Sequence, residues 1–430
     1  MAQVEQLREA IRRGEYDAVF SNLYGEGQQA GQRERYLSAL DKFEEYFGAG
    51  RQVQIYSAPG RTEIGGNHTD HNNGVVMAAA VNLDIIAVVS PSGNDTVRVK
   101  SHGFPDMDEV DLQVLTPQKV EEGHSAALIR GVAAGILENG GTIHGFDAYT
   151  TSNVLRGSGL SSSAALEVVI GEVFNGEFND EKFSMVELAK ISQYAENVFF
   201  GKPSGLMDQT ACAVGSAITI DFRDPTAPVV DKVAFDLSGQ GFALCITDTK
   251  GSHADLTADY AAIRSEMEQV AAVFGKKVLR EVDEEEFYAR IPEIRAVTGD
   301  RAVLRAIHFF ADCRRAGQLC DAVREGRFKD FLWLILEGGH SSIEFNQNAY
   351  SIQSPAEQGV ALGLALSQRV LAGKGAWRLQ GGGFAGTIQA FVPMELLDTY
   401  KAQMESVFGE GACYVLSVRN YGAVAVKPGL

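Results

Sequence analysis

The sequence predicts an α+β protein whose strands and helices are mixed without a regular βαβ order. Apolar residues recur at helical spacing in the first 50 residues, and strand-like patterns follow from about residue 52. Later helical patterns come at irregular intervals among further strands. Such a mixture favours separate helical and strand regions over a doubly wound sheet.

The first helical pattern carries Tyr36, Leu40, Phe43 and Phe47, and glycines at 48 and 50 end it. Strands are predicted over 52–58, 74–89, 96–100 and, by alternation, 146–154. Helices are predicted from about residue 164 and over 184–199, 260–274 and 358–371. A stretch rich in Pro, Asp and Thr at 221–230 indicates a domain boundary. We therefore expect a helical extension over 1–48 and two domains over 49–228 and 229–430.

Composition restricts the classes of function. The chain has 430 residues and a formal net charge of −18. Its residues are 45% hydrophobic and 22% charged, which is typical of globular proteins. The negative charge disfavours nucleic acid and anionic membranes as partners. Five cysteines form no CxxC pair, which predicts free thiols in a reducing, cytoplasmic compartment. Neither an apolar signal core nor an apolar run of about 18 residues occurs, so no signal peptide or membrane span is expected.

A glycine- and serine-rich loop, Gly157 to Ser163, joins the strand at 146–154 to a helix that begins near Ala164. Unpaired N–H groups at a helix start bind anions, and glycine lets the backbone approach a phosphate closely. Arg156 adds a positive charge. A plain capped turn is the alternative on this pattern alone, since neither a P-loop nor a nucleophile elbow is present.

The spacing of Gly381, Gly383 and Gly386 matches GxGxxG. A strand pattern follows at 387–392, where a dinucleotide site requires a helix. The segment is therefore interpreted as a tight turn or as a glycine-rich wall of the active site.

Two further segments are dense in polar groups. Residues 57–74 have three possible interpretations: a solvated loop, a zinc or iron site at His68, Asp70 and His71, or a site that binds sugar hydroxyls. Residues 196–209 contain Asp208 after a loop with glycines and a proline, and such an Asp by itself is typical of a helix cap.

Together these segments resemble the galactokinases of the GHMP kinase family, in the family's order, over about residues 40–425. Residues 60–74, with Arg61 and His68-Thr-Asp70, are similar to the galactokinase signature. Residues 157–164 resemble the ATP-loop motif, and 205–209 the segment with the catalytic aspartate. Residues 381–386 resemble the third GHMP motif, and His253 and Tyr260 follow the family's His…Tyr pattern.

The resemblance implies two α+β domains with the active site in the cleft between them, and an ATP-dependent sugar 1-kinase that uses Mg²⁺. It implies Asp208 as the proton acceptor and Arg61 as the transition-state stabiliser. The implied sugar-binding positions are Asn67, His68, Asp70, Gly205 and Tyr260. The implied ATP contacts are Ser101, Gly157, Ser158, Gly159, Leu160, Ser161, Ser162 and Ser163. The implied magnesium ligands are Ser163 and Glu196.

These roles suit phosphoryl transfer, which needs aligned groups, a metal ion across the phosphates and positive charge near the transferred group. An ionised Asp208 can accept a hydroxyl proton, and Arg61 nearby would keep it ionised. Hydroxyl and carboxylate oxygens suit Mg²⁺. This context disfavours zinc or iron at His68, Asp70 and His71.

The sequence departs from the family pattern at four positions. The family usually has Glu at the position of Asn67 and Asn at the position of Glu63, so the two residue types look exchanged. The family's Glu faces C6 of the sugar, so recognition at C6 is open, and Glu63 is a candidate to take over that role. Leu155 replaces a common proline, and His71 stands where the family often has Tyr.

The leading hypothesis is phosphorylation of galactose at C1, with no protein partner implied. The alternatives are an anomeric kinase for galacturonate or arabinose, and a catalytically idle regulator that binds sugar and ATP. The regulator is disfavoured because Arg61, Ser163, Glu196 and Asp208 are all present.

Overall fold

The computed structural model describes residues 1–154, 159–251 and 256–430. The strands of this described part are β1 (Ala2–Gln3), β2 (Gln52–Gly65), β3 (Val75–Pro91), β4 (Thr96–Ser101), β5 (Asp108–Asp111), β6 (Phe146–Ser152), β7 (Ala217–Asp221), β8 (Val229–Val233), β9 (Phe242–Asp248), β10 (Ala376–Leu379), β11 (Thr387–Pro393), β12 (Cys413–Leu416) and β13 (Val424–Ala425).

The α-helices of the same residues are α1 (Val4–Arg12), α2 (Asp17–Tyr24), α3 (Gln29–Phe47), α4 (Ser125–Glu138), α5 (Ser162–Phe178), α6 (Met185–Tyr194), α7 (Met207–Val214), α8 (Thr257–Val273), α9 (Glu284–Ala289), α10 (Ile291–Thr298), α11 (Asp300–Arg324), α12 (Phe328–Ser341), α13 (Gly359–Leu371) and α14 (Leu397–Phe408). The predicted helical start and the predicted helices at 260–274 and 358–371 are confirmed by α1 to α3, α8 and α13.

The strands form two sheets, which confirms the α+β class. The larger sheet has the order β1-β2-β3-β6-β4-β5, with β13 beside β2 and the β7–β8 hairpin beside β3. Strands β4 and β6 run parallel, whereas the neighbouring β3 and β6 are antiparallel. The smaller sheet has the order β10-β11-β9-β12 and is antiparallel.

Alternation along β2 and β3 separates two cores. Val53 and Ile55 on β2, with Ile86 and Val88 on β3, pack against the buried side chains of α1 to α3. The residues between them on β3, such as Ala87, face the main core with α4 to α6. Successive side chains of a strand point to opposite faces, so the helical extension covers the outer face of this sheet.

Strand β2 overturns the interpretation of residues 57–74 as a solvated loop. The strand continues to Gly65, and residues 57–67 are buried throughout. Its pairing with β3 shifts register between Pro59 and Arg61 and again between Glu63 and Gly65. Such irregularities re-aim side chains, so polar groups enter the interior from a strand that the sequence pattern ended at residue 58.

The expected domain boundary at 228/229 lies inside the β7–β8 hairpin, where Asp221 pairs with Val229. Strand β8 therefore belongs to the larger sheet. Strand β13 also returns to that sheet beside β2. We propose that the boundary follows Val233 and that the last residues rejoin the first domain.

In the described part of the chain, no helix combines the length and the hydrophobicity that crossing a bilayer requires.

Candidate active site

Arg61 on β2 and Asp208 in the first turn of α7 form a two-pronged ion pair. Arg61 Nε lies 2.7 Å from Asp208 Oδ1, and Nη2 lies 2.7 Å from Oδ2. The Ser161 hydroxyl also donates to Oδ2. Burial alone would raise the pKa of Asp208, but the charge of Arg61 and the hydrogen bonds from Arg61 and Ser161 outweigh it and lower the pKa. Asp208 is therefore an ionised carboxylate with 28% of its side chain exposed.

The loop before α5 wraps around Arg61. Arg61 Nη1 donates to the carbonyl of Gly159, and the Arg61 N–H donates to the carbonyl of Leu160 at 3.0 Å. A Cβ on Gly60 would lie 2.7 Å from that same Leu160 oxygen, so only glycine fits there. Gly159 and Ser161 both have positive φ, 69° and 58°. These contacts bring the phosphate-loop candidate and the candidate catalytic pair together.

Helix α5 begins directly after this loop, with Ser162 and Ser163 in its first turn. A helix start of this kind offers unpaired N–H groups and the positive end of the helix dipole to an anion. Ser101, at the end of β4, accepts a hydrogen bond of 2.9 Å from Thr150 on β6, the strand that leads to the loop. The expected ATP contacts Gly157 and Ser158, like Leu155 and Arg156, lie outside the described residues.

Ser163 and Glu196, the expected magnesium ligands, are neighbours. Ser163 Oγ lies 3.1 Å from Glu196 Oε1. Glu196 is 2% exposed and lies in a π-helical turn, Ala195–Phe200, that continues α6. The predicted helix at 184–199 therefore changes its winding at Ala195, and such turns often occur at functional sites.

Lys202 and Gln209 complete the surroundings of Glu196, and sequence reasoning missed both. Lys202 Nζ lies 2.8 Å from Glu196 Oε1, and Gln209 Nε2 lies 2.8 Å from Oε2. Both residues stand in the segment 196–209, close to Asp208. Their place in the same polar segment as Glu196 and Asp208 was the signal available in the sequence.

The sugar-site candidates Asp70 and Gly205 face each other. A Cβ on Gly205 would lie 2.5 Å from Asp70 Oδ2, so any side chain at 205 would displace that carboxylate. Burial raises the pKa of Asp70, while His68 opposes the shift. Burial lowers the pKa of His68. His68 Nε2 donates to the carbonyl of Gly382 at 2.9 Å.

Tyr260, in the first turn of α8, contacts the third glycine segment. Its hydroxyl lies 3.0 Å from the carbonyl of Gly383, and a Cβ on Gly382 would lie 2.5 Å from its ring. The segment 381–386 joins β10 to β11, so the strand expected at 387–392 is confirmed. His253, the other half of the expected pattern, lies outside the described residues.

Asn67, at the end of the buried stretch that begins in β2, is completely buried, at 0% exposure. Its Nδ2 donates to Glu63 Oε1 at 3.0 Å and to the Gly381 carbonyl at 2.7 Å, and its Oδ1 accepts from Asn348 at 2.9 Å. Its backbone N–H donates to Asp312 Oδ2 at 2.6 Å. The side-chain amide of Asn67 therefore makes its hydrogen bonds within the protein. The sequence had led us to expect a contact with C6 of a sugar instead.

Glu63 is held in the same way. Its Oε1 accepts from Arg378 Nη2 at 2.8 Å as well as from Asn67, and Glu63 is 4% exposed. Burial raises the pKa of Glu63 to about 7, although Arg378 and Asn67 oppose the shift. The hypothesis that Glu63 replaces the family's Glu toward C6 is not supported by this placement.

The zinc or iron alternative is also unsupported. The rings of His68 and His71 lie 5.6 Å apart. Among the residues that the structure describes, no three His, Cys, Asp or Glu side chains are grouped so as to hold a metal ion.

The fold and this loop–helix arrangement define a kinase of the GHMP class. The signature described as "GHMP kinases N terminal domain" matches residues 127–216. A crystal structure of mevalonate kinase, 13% identical, superimposes with a TM-score of 0.59 over 85% of this chain and 98% of that one.

The chain belongs to the galactokinase family. It is 31% identical to the galactokinase of Streptomyces coelicolor over 86% of this chain and 92% of that relative. It is 34% identical to that of Actinobacillus pleuropneumoniae serotype 3 over 84% and 90%. The "Galactokinase galactose-binding signature" matches residues 41–91. The crystal structure of Lactococcus lactis galactokinase complexed with galactose shares the fold, with a TM-score of 0.77 and 24% identity over 91% of this chain and 100% of that one.

Proposed function

We propose that the protein transfers the γ-phosphoryl group of ATP to the C1 hydroxyl of galactose. The observation that carries the proposal is the Arg61–Asp208 pair, which joins a base to the phosphate loop. Arg61 bonds Asp208 on one side and the Gly159 carbonyl on the other. The curated galactokinase relatives supply the sugar and the reaction.

Asp208 is the proposed proton acceptor, and its hydrogen bonds indicate which oxygen acts. Oδ2 accepts from Arg61 and Ser161, whereas Oδ1 accepts from Arg61 alone among the described residues. A carboxylate oxygen accepts about two hydrogen bonds. Oδ1 therefore has the capacity to take the proton of a sugar hydroxyl, while the low pKa of Asp208 keeps it ionised.

Arg61 is the proposed transition-state stabiliser. Its guanidinium is 9% exposed and lies between the base and the loop that precedes α5. Charge on the transferred phosphoryl group spreads over its outer oxygens in the transition state, and a fixed cation at that point stabilises it. The pairing with Asp208 fixes the orientation of Arg61 before substrates bind.

Gly159 to Ser163 and the start of α5 are proposed to hold the ATP phosphates. Ser163 and Glu196 fit Mg²⁺, because one hydroxyl and one carboxylate oxygen are ligands that this ion prefers, and with few protein ligands it retains water and phosphate oxygens. When bound, the ion would neutralise phosphate charge. Lys202 holds the same Glu196 oxygen at 2.8 Å and would give way to it.

Asp70, with its carboxylate against Gly205, and His68 and Tyr260 on the glycine segment are proposed to form the sugar site. A carboxyl group and an imidazole both pair well with hydroxyls. Asn67 and Glu63 are proposed to hold the glycine segment 381–386 in place through hydrogen bonds and not to bind the sugar.

A second candidate, a kinase for galacturonate, is favoured by one observation. The amide of Asn67 stands where the family usually places a carboxylate toward C6, so a repulsive charge against a sugar carboxylate is missing at that position. Comparison of kcat/KM for galactose and galacturonate on the wild type separates the two candidates.

The experiment that tests the proposed reaction is product analysis by ³¹P and ¹H NMR with ATP, Mg²⁺ and galactose. We expect a phosphate on C1 and loss of turnover by about 10²–10⁴-fold in Asp208→Asn, with ATP binding retained. Asp231→Asn, which removes a charge from an exposed pair with Arg324, is the matched control. Phosphate at another hydroxyl, or an active Asp208→Asn, would contradict the proposal.

A further inference from the structure

A buried chain of side chains lies behind Glu196. Gln209 Nε2 donates to Glu196 Oε2 at 2.8 Å and to Glu167 Oε2 on α5 at 3.0 Å. Glu167 and Gln209 are both 0% exposed, and Glu196 is 2% exposed. A single amide group therefore bridges two buried carboxyl groups, and one of them, Glu167, has no part in the mechanism above.

Within this group of three linked side chains, two atoms lack hydrogen-bond partners among the described residues. Glu167 Oε1 and Gln209 Oε1 are both buried without a hydrogen bond. If Glu167 were ionised, both atoms would be acceptors, and neither could satisfy the other. Buried polar atoms without partners are rare in folded proteins.

A proton on Glu167 Oε1 would turn one of these two acceptors into a donor. A carboxylic acid and a primary amide pair through two antiparallel hydrogen bonds, N–H to O and O–H to O. The N–H bond, from Gln209 to Glu167 Oε2, is present, and a proton on Glu167 Oε1 is the donor that the second bond of such a pair requires. Turning the Gln209 amide over would instead point its oxygen at both carboxyl groups, so the present orientation is the favourable one.

Glu167 rather than Glu196 is the suitable site for this proton. Glu196 accepts from the ammonium of Lys202 and from Ser163, whereas Glu167 accepts from the neutral amide of Gln209. Burial, and next the charge of Glu196, raise the pKa of Glu167 well above its ordinary value. Lys202 and Asp208 also act on it, in opposite directions.

We propose that Glu167 is a positioning residue, a neutral carboxylic acid that pairs with Gln209 and so aims the Gln209 amide at Glu196. The inference rests on the proposed role of Glu196 as a magnesium ligand. Partners of this kind, one step removed from a metal ion, orient its ligands and typically change metal affinity about 10- to 100-fold when removed.

The competing interpretation is that Glu167 is itself an anionic ligand of the metal ion. The two interpretations predict different effects of the substitution Glu167→Gln. Glu167→Gln removes the capacity for charge but preserves the pair, because the new amide can donate to Gln209 Oε1 and accept from its Nε2. Glu167→Leu removes the pair altogether.

Calorimetric titration with Mg²⁺ and ATP, which requires no galactose, measures the effect. We expect Glu167→Leu to weaken Mg²⁺-dependent ATP binding by about tenfold or more and Glu167→Gln to restore it to within about twofold. Glu172→Gln, at another buried carboxyl of α5, is the matched control and should bind as the wild type does. If Glu167→Gln weakens binding as much as Glu196→Gln does, Glu167 is an anionic ligand and the proposal is wrong.

Infrared difference spectra give a second measurement that is independent of activity. The wild-type spectrum minus that of Glu167→Gln at neutral pH should show the C=O band of a protonated carboxyl group. Carboxylate bands in its place would overturn the proposal. Both measurements remain decisive if Glu167→Leu does not fold, and both can succeed even if galactose is not the substrate.

Discussion

Asn67 donates from Nδ2 to Oε1 of Glu63 at 3.0 Å, in the interior of the protein. The family resemblance implies the opposite order of residue types at these two positions. In either order, one amide and one carboxyl group would meet at this contact.

The two residues should therefore be energetically coupled. Glu63→Asn leaves Arg378, which is 1% exposed, without its carboxylate, and breaking a buried pair costs about 3–5 kcal/mol. Asn67→Glu brings two carboxylates together. In the double variant one amide and one carboxylate remain, so we expect it to be about 1–3 kcal/mol more stable than the sum of the single effects predicts. Denaturant unfolding measures this difference, and additive effects would contradict the coupling.

Gly205→Ala should weaken sugar binding specifically. The new Cβ would lie 2.5 Å from Asp70 Oδ2 and would push the carboxylate out of place. We expect KM for galactose to rise by about tenfold or more, since a displacement of about 1 Å is costly in a site of this kind, with ATP affinity unchanged. Gly317→Ala, on α11 with no atom within 4 Å of the new Cβ, is the control. An unchanged KM would show that Asp70 does not face the sugar.

Arg61→Ala should change the pH dependence as well as the rate. Asp208 acts as a base when ionised, so activity falls as the pH drops through its pKa. The charge of Arg61 lowers that pKa. Without Arg61 the pKa of Asp208 rises, and the acid limb of the kcat profile should move to higher pH.

The rate itself should fall more than the affinity for the sugar, because Arg61 acts mainly on the transition state. Arg61→Lys keeps a charge but cannot form the two-pronged pair, and its acid limb should lie between those of wild type and Arg61→Ala. An acid limb that stays fixed in Arg61→Ala would show that Asp208 is not the titrating base.

The roles of the candidate phosphate loop and of Asp208 came from the family resemblance, because each local pattern alone also fits a capped turn or a helix cap. The polar segments that contain them were predictable from the local sequence. The burial of Asn67 was not, since Asn348 and Asp312 reach it from positions more than 240 residues away in the chain. The continuation of β2 to Gly65 was also missed. A strand pattern based on apolar alternation ends where Arg61 and Glu63 begin, and only distant partners such as Arg378 make their burial possible.

The helical extension, which the sequence placed outside the family resemblance, reaches the entry to the phosphate loop. Arg35 on α3 donates to Asp84 Oδ1 at 2.6 Å and to the Thr151 carbonyl at 3.1 Å. The Asp84 N–H in turn donates to the side-chain Oδ1 of Asn153 at 2.6 Å, and the Asn153 N–H donates to the Asp84 carbonyl at 3.0 Å. Asn153 lies in the segment that leads to the loop.

Arg35→Ala should therefore raise KM for ATP by about tenfold or less, because charge-assisted hydrogen bonds are worth roughly 1.5–3 kcal/mol and only part of the loss reaches the loop. KM for galactose should not change. Arg33→Ala, at a partly exposed arginine of the same helix, is the control. Equal effects on both substrates would indicate general destabilisation instead of a role at the loop.

The proposed sugar substrate, galactose, is tested by kcat/KM of the wild type for galactose, galacturonate and arabinose with ATP. Asn67 and Glu63 make their hydrogen bonds within the protein, and the proposed sugar contacts come from Asp70 and His68. We therefore expect galactose to have the highest kcat/KM of the three sugars. Asn67→Glu should not reverse this order. If galacturonate has the highest kcat/KM on the wild type and loses that rank in Asn67→Glu, the galactose assignment is contradicted and the protein is a uronic-acid kinase.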